Sequence, residues 1–528
     1  MKKLLVTFAL LVPLMSATTQ FMGCTQTTKV ERDSTFIFDT VGVGTQVYGY
    51  FARAGLNDLS FLQNSTSLEK LWLDSNEFSD LTPLSHLTKL NLLSINSCYN
   101  VTDLSPLAGL DSLEQLFCFN CFGIKDITPI SHLPNLMTLD LEGCWQITDV
   151  SSLANLTKLD SLSLHSANGV TDISVISTLK NLTWLDLGWA NNIQDYSACS
   201  ALTKLKWIRI AGMKATSISA LSGLPLLQTI LIANNALPSI VLSNLPKVHM
   251  IDFSMSDSVK SVALSNMDVI DTLDFSNLGQ LLSLKLTTLP GLKSLTLGAA
   301  GNLDTIQLTG LLSIQTFIID GCATTTLTFL TGMTTLDTFS IFSQTLTDIS
   351  ALAGLSSLTC LSMHGDAITS LSAIAGLTNL TRLEINNCGG ITDISTLSSL
   401  TNLQWLDAHN NRQITSLASI AGLSKLKFLN LNGCLGLDSA VTDLSQLTSL
   451  AHLNVNYCSS IKSAPSLANL HNLSWVDIRY SGLDSATIAG LVGVMSAGDT
   501  LYAETGQVVL TTAQALVAKG VLMPGYSF

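Results

Sequence analysis

Charge is scarce in this chain. Only 12% of its 528 residues are charged, while 47% are apolar. Lysine and arginine total 25 against 38 acidic residues, for a formal net charge of −13. A nucleic-acid binder needs a basic stripe, and none is present. No run of 18 or more apolar residues exists, so no segment reads as a membrane span. Catalytic signatures are also missing: there is no H-E-x-x-H, no P-loop and no nucleophile elbow. The eight histidines (His86, His132, His165, His249, His364, His409, His452 and His471) are scattered, as solvated or turn residues would be. An enzyme is therefore the least expected class, and no cofactor or metal is implied.

What the chain does have is a repeat. The stretch Leu380 to Leu400, LTRLEINNCGGITDISTLSSL, returns in altered form along most of the sequence. Leu383 and Ile385 alternate with polar neighbours, the pattern of a short half-buried strand. Thr392 and Asp393 can hydrogen-bond nearby backbone amides and open a turn. Ile394, Leu397 and Leu400 then recur every third residue, which suits one 3₁₀ or helical turn. Nineteen copies follow from the anchors Leu68, Leu90, Leu113, Leu136, Leu159, Leu182, Leu205, Leu227, Val248, Ile270, Leu292, Ile314, Leu336, Leu358, Leu380, Leu403, Leu426, Leu450 and Leu473, spaced 21 to 24 residues apart. One unit cannot bury its own apolar edges, but stacked units can. Nine aspartates (Asp58, Asp80, Asp103, Asp126, Asp149, Asp172, Asp348, Asp393 and Asp443) hold the D of a D-[ILV]-[ST] turn, so much of the negative charge is structural.

The unit resembles the leucine-rich repeat, in the short bacterial form of the internalins. That resemblance implies an α/β solenoid wound as a right-handed superhelix. Its concave face would be a parallel sheet of about 19 short strands, and its convex side would carry 3₁₀ turns or short strands. It also implies a non-enzymatic binding scaffold at the bacterial cell surface, with adhesion or protein–protein interaction as the leading function. A glycan-binding surface lipoprotein and an envelope spacer without a specific ligand are the alternatives. Fold alone does not name the ligand.

The middle of the array departs from the pattern. Between about 236 and 330 the T-D-I-S turn gives way to five strand-like segments that begin at Ser239, Ser261, Ser283, Thr305 and Thr326. Each is expected to form a strand on the convex side. The ends differ too. Residues 1–23 read as a signal peptide, with Lys2, Lys3 and the apolar run Leu4 to Met15. Phe21-Met22-Gly23-Cys24 resembles a lipobox, which implies lipidation of Cys24 and a membrane contact only through that anchor; an ordinary secretory signal cut near Ala17 is the other reading. Both export the protein. Residues 24–54 then form a tether and N-terminal cap, 55–481 the array and 482–528 a C-terminal cap. In that last segment Asp484 should cap a helix to about Met495, Leu501 to Leu510 should form a strand or two, and Thr511 with Gln514 should box the start of a helix that ends at Gly520.

Seven cysteines (Cys98, Cys121, Cys144, Cys322, Cys388, Cys434 and Cys458) share one turn position, which in other copies holds Asn76, Asn235 or Asn411. In leucine-rich repeats this position points inward and bonds the neighbouring turn's backbone. Adjacent rungs stand about 4.8 Å apart, which permits disulfides, but parallel Cβ directions oppose them. Free buried thiols are expected. Cys118 and Cys121 form a lone C-x-x-C, which both sulfurs facing the core would keep from redox or zinc chemistry.

Numbered from each anchor as zero, positions 3, 5 and 8 face inward and 2, 4, 6 and 7 outward. None of the seven tryptophans is at an inward position. Trp184, Trp207, Trp405 and Trp475 are at position 2, Trp72 at 4, Trp189 at 7 and Trp145 at 9. Phe117, Phe119, Phe342, Phe428, Tyr457 and Tyr480 are in outward columns as well, with Asp407 and Asp477 beside them. Aromatics on a solvated sheet mark recognition surfaces, although they also raise strand propensity. They gather over repeats three to seven and sixteen to nineteen, with His452 continuing the row from Phe428 to Trp475.

Overall fold

The computed structural model describes residues 48–211, 214–232, 236–298, 301–365, 367–437, 444–504 and 507–524. Cys24 and Asp443 lie outside them. Each of the nineteen anchors begins a rung, and each rung carries a front strand of three to five residues. All strand pairs are parallel. The apolar residues at the anchor and at positions 3 and 5, apart from the partly buried Ile251, are buried in a single core that runs the length of the stack. Two further front strands come from outside the nineteen copies. Tyr48–Tyr50 pairs with Lys70–Trp72, and Thr500–Tyr502 pairs with Trp475–Asp477. The front is thus two sheets, of ten strands up to Met250–Asp252 and of eleven from Thr272–Asp274 onward.

The turn after each strand has a simple cause. The carboxylate of Asp393 accepts the backbone N–H of Ser395 at 2.7 Å, and the chain enters the 3₁₀ turn Ser395–Ser399. The same bond forms at all eight of the expected aspartates that are described. Asp195 makes it too, to Ser197.

Ser217 and Ser370 replace the aspartate in two rungs and still accept from the amide two residues on, ahead of 3₁₀ turns. In the middle rungs, which lack the turn, the backbone pairs with the next rung instead. Ser239–Ser243, Ser261–Ser265, Ser283–Thr287 and Thr305–Thr309 form a four-stranded parallel back sheet. The fifth expected strand does not form. Thr326 makes one bridge to Asp348, and Thr328–Leu330 is a 3₁₀ turn. The rung that follows is turned by Asp348, which accepts from Ser350, and the ladder ends at the extended edge strand Thr305–Thr309.

At the C-terminal end Asp484 accepts from the Thr487 amide at 2.8 Å and starts the helix Ser485–Val494. The second helix, Leu510–Ala518, begins from Val509 with no side-chain cap, so the box expected from Thr511 and Gln514 is not made. Gly520, at φ +82°, follows its end. Among the described residues from 500 to 510 there is one strand, Thr500–Tyr502. Among the described residues no helix is long and apolar enough to cross a membrane.

Candidate functional site on the front sheet

Register places equivalent positions side by side, so each outward column is a row across the strands. Trp405, Phe428, His452 and Trp475 pair in succession at position 2. Trp405 and Phe428 stack with centroids 3.5 Å apart and planes 3° from parallel. Phe428, His452 and Trp475 continue at 6.0 and 6.1 Å, more tilted. Tyr502 on the last strand then sits 5.6 Å from Trp475. In the N-terminal half Trp184 and Trp207 stack at 4.6 Å and 7°.

These stacks run along the row. The rings therefore cover one another's faces and turn their edges outward. The outer face of Trp405 is covered as well, by the Arg382 guanidinium at 4.2 Å. As a result the expected open platforms are closed. Trp184 is only 9% exposed, and Trp405, Trp207 and Trp475 are half-buried. The Trp405 indole N–H is buried without a hydrogen-bond partner among the described residues, which in a native structure calls for an explanation.

Position 4 also differs from its expected role. Its acidic and amide side chains accept the backbone N–H two residues on, from Asp140 to Glu142, Asp186 to Gly188, Asp407 to His409 and Asp477 to Arg479. Asp477 is 2% exposed, and Arg479 donates to both of its oxygens through Nε and Nη2 at 3.0 and 2.7 Å. It braces the face from beneath Arg479. Asp407 accepts in addition from His409 Nδ1 at 2.8 Å, a bond that raises the imidazole pKa. Burial lifts the Asp140 carboxyl to about 6.

Two polar centres emerge that the scattered histidines did not suggest. His165, Asp186 and Arg209 meet in the first half, with Arg209 Nη1 3.1 Å from Asp186 and 3.2 Å from His165 Nδ1. Gly188 makes room for them, since a Cβ there would lie 2.6 Å from both Arg209 Cδ and His165 Nδ1. In the second half Ser362, His364, Glu384, Asn386 and His409 interlock. Ser362 donates to Glu384 at 2.8 Å, and His364 lies 2.7 Å from Ser362; its burial lowers the imidazole pKa. The Asn386 amide donates to Asp407 Oδ1 at 2.9 Å and accepts from His364 at 3.3 Å. The signal was present in the sequence: His165, His364 and His409 all stand at position 6.

The remaining aromatics lie on the rim. Trp189, Tyr457 and Tyr480 occupy position 7 in the left-handed region, at φ 55°, 56° and 53°. Other rungs place Ser, Asn or Gly there, such as Ser75, Asn410 and Gly433. A bulky residue in this region is strained. All three are largely exposed, and Tyr457 stacks on Tyr480 at 4.5 Å. Trp72 and Phe117 are half-buried in the position-4 column and Phe119 in the position-6 column. Trp72 contacts Tyr48 and Tyr50, both at 6.3 Å.

The thiols behave as the turn position requires. Cys98, Cys121, Cys144, Cys434 and Cys458 each donate to the backbone carbonyl of the preceding rung at 3.0–3.2 Å. All seven are free and buried. Burial pushes the Cys98, Cys434 and Cys458 thiols up to about 12. Among the described residues no cluster of His, Cys, Asp and Glu could hold a metal ion.

No family model and no curated protein matches the chain. Many solved structures do. An internalin from Listeria monocytogenes shares 23% identity over 72% of this chain and 89% of its own, with a TM-score of 0.30. A second Listeria internalin shares 30% identity over 35% of this chain and 79% of its own, with a TM-score of 0.31. A leucine-rich-repeat protein of Leptospira interrogans shares 18% over 83% and 91%, with a TM-score of 0.33. The rungs themselves decide the class, through parallel front strands, buried leucine anchors and 3₁₀ returns at one period. The chain is a leucine-rich-repeat solenoid. Within this leucine-rich-repeat protein, stacked aromatic and ion-paired side chains gather on the front sheet on either side of its middle. The middle of that sheet presents small side chains such as Ser294, Thr296 and Gly298.

Proposed function

We propose that this is a non-enzymatic, exported leucine-rich-repeat protein that binds a protein ligand on its front sheet. The observation that carries the reading is the aromatic row from Trp405 to Tyr502, set beside ordered polar columns. Aromatic and arginine side chains held rigid at low entropic cost are the usual anchors of protein interfaces. The ring geometry favours a protein over a glycan. Sugar stacking needs an open ring face, and Trp405, Phe428, Trp184 and Trp207 offer edges.

The test is to probe protein and glycan arrays in parallel with the wild type and with Trp405→Ala/Trp475→Ala. Specific protein binding that the double variant loses supports the reading. Binding confined to glycans would overturn it. Cell-surface placement and adhesion belong to the same proposal, through export and lipidation at Cys24. Cys24→Ser should then shift the protein out of the membrane fraction, and unchanged fractionation and mobility would remove the anchor from the account.

A further inference from the structure

The chain has six arginines, and three of them stand on the front sheet in the same setting. Each lies against an aromatic ring: Arg209 is 5.4 Å from the centroid of Trp207, Arg382 is 4.2 Å from Trp405, and Arg479 is 4.9 Å from Tyr502. Each also pairs with a carboxylate in the position-4 column, respectively Asp186, Glu384 and Asp477. The pairs are layered in one order. The arginine side chains are 27%, 43% and 40% exposed, and their carboxylates 3%, 18% and 3%. The anion lies underneath and the guanidinium on top.

That arrangement fixes which donors remain. Arg382 gives Nε and Nη2 to Glu384, and Arg479 gives Nε and Nη2 to Asp477. Their side-on forks are spent. Among the described residues Nη1 of both has no hydrogen-bond partner, and with 43% and 40% of these side chains exposed the end-on fork of Nη1 and Nη2 is left for a ligand. A guanidinium held by a ring on one side and a carboxylate below has lost its rotamer freedom before any ligand arrives. Its planar fork matches a carboxylate. Among the described lysines, by contrast, only Lys70 lies over a ring, that of Tyr48.

We infer that Arg382 and Arg479, but not Arg209, whose Nη1 is taken by Asp186 and His165, are preorganised receptors for carboxylate side chains of an acidic segment on the protein partner. This rests on the protein-binding reading above and narrows it to a class of partner surface. The attraction is local, because the chain's net charge is −13 and would repel an acidic partner at long range. Added salt should therefore speed encounter while weakening the bound state.

The experiment uses the full chain immobilised and three labelled probes: an alternating glutamate–alanine peptide, its glutamine–alanine counterpart, and a sulfated oligosaccharide. The inference expects retention of the glutamate peptide over the glutamine peptide. It further expects Arg382→Lys/Arg479→Lys, which keeps both charges and loses both forks, to weaken that retention roughly tenfold or more while circular dichroism shows the chain still folded. Equal retention of the two peptides, indifference to the lysine changes, or preference for the sulfated sugar would each overturn it. Should the arginine variant behave as wild type while Trp405→Ala/Trp475→Ala loses array binding, protein recognition stands and the carboxylate assignment falls. Should neither variant change anything, both fall.

Discussion

Inward and outward residues on one strand should separate cleanly in energy. Leu406 is 1% exposed and sits in the continuous core. Leu406→Ala should cost about 2–5 kcal/mol by denaturant titration. Trp405, one residue away, packs between Arg382 and Phe428 on the outside. Its stack is worth about 0.5–1.5 kcal/mol beyond the area it covers, so Trp405→Ala should be the milder change. A tryptophan loss as large as the leucine loss would show that the columns are wrong. The row is thus less free of stability cost than outward placement alone implies, because the rings bury one another. The thiols give a second residue-scale prediction. With Cys98, Cys434 and Cys458 raised to about 12 and enclosed, iodoacetamide at pH 8 should leave them unmodified in the folded protein and label them once it is unfolded. Labelling at equal rates in both states would contradict their burial.

At the scale of the element, the Asp turn should set the acid limit. Hydrogen bonds from the following Ser or Thr hold the carboxyls of Asp58, Asp80, Asp103, Asp126, Asp149, Asp195, Asp348 and Asp393 below their usual 3.8. A depressed folded-state pKa stabilises the protein above the unfolded value of 3.8 and loses that stabilisation as pH falls through the folded value. The turn carboxyls alone should hold the thermal midpoint level down to about pH 5 and let it drop below about pH 4. Asp140, raised to about 6 by burial, opposes them by adding stability as pH falls through 6. Asp393→Ala should flatten the drop slightly while lowering the plateau. A midpoint that rises as pH falls below about 4 would contradict the turn account. The back strands obey the same logic in reverse. Four consecutive rungs without the aspartate form a ladder, which stops one rung before Asp348 restores the turn.

For the whole molecule, the period made the anchors, the turn aspartates, the thiol position and the outward columns legible. Each is fixed by the direction of a Cβ in a repeating backbone. What the sequence did not disclose depends on side-chain torsions or on the ends. A column says that Trp405 points outward, yet not that its ring turns edge-on against Phe428. Tyr502 was invisible as part of the row because the register stops before the last strand. The strain at Trp189, Tyr457 and Tyr480 needed the backbone, although the Ser, Asn and Gly that recur at position 7 pointed to a left-handed turn. The central claim is that the front sheet, and not the back, meets a protein ligand. Calorimetric titration of an array-selected protein against three chains tests it most directly: the wild type, the front variant Trp405→Ala/Trp475→Ala, and the back-sheet variant Lys285→Ala. The account predicts affinity lost by about thirtyfold or more in the front variant, the scale of an interface hot spot, and unchanged in the back one. Undiminished affinity in the front variant, or a loss confined to Lys285→Ala, would contradict it.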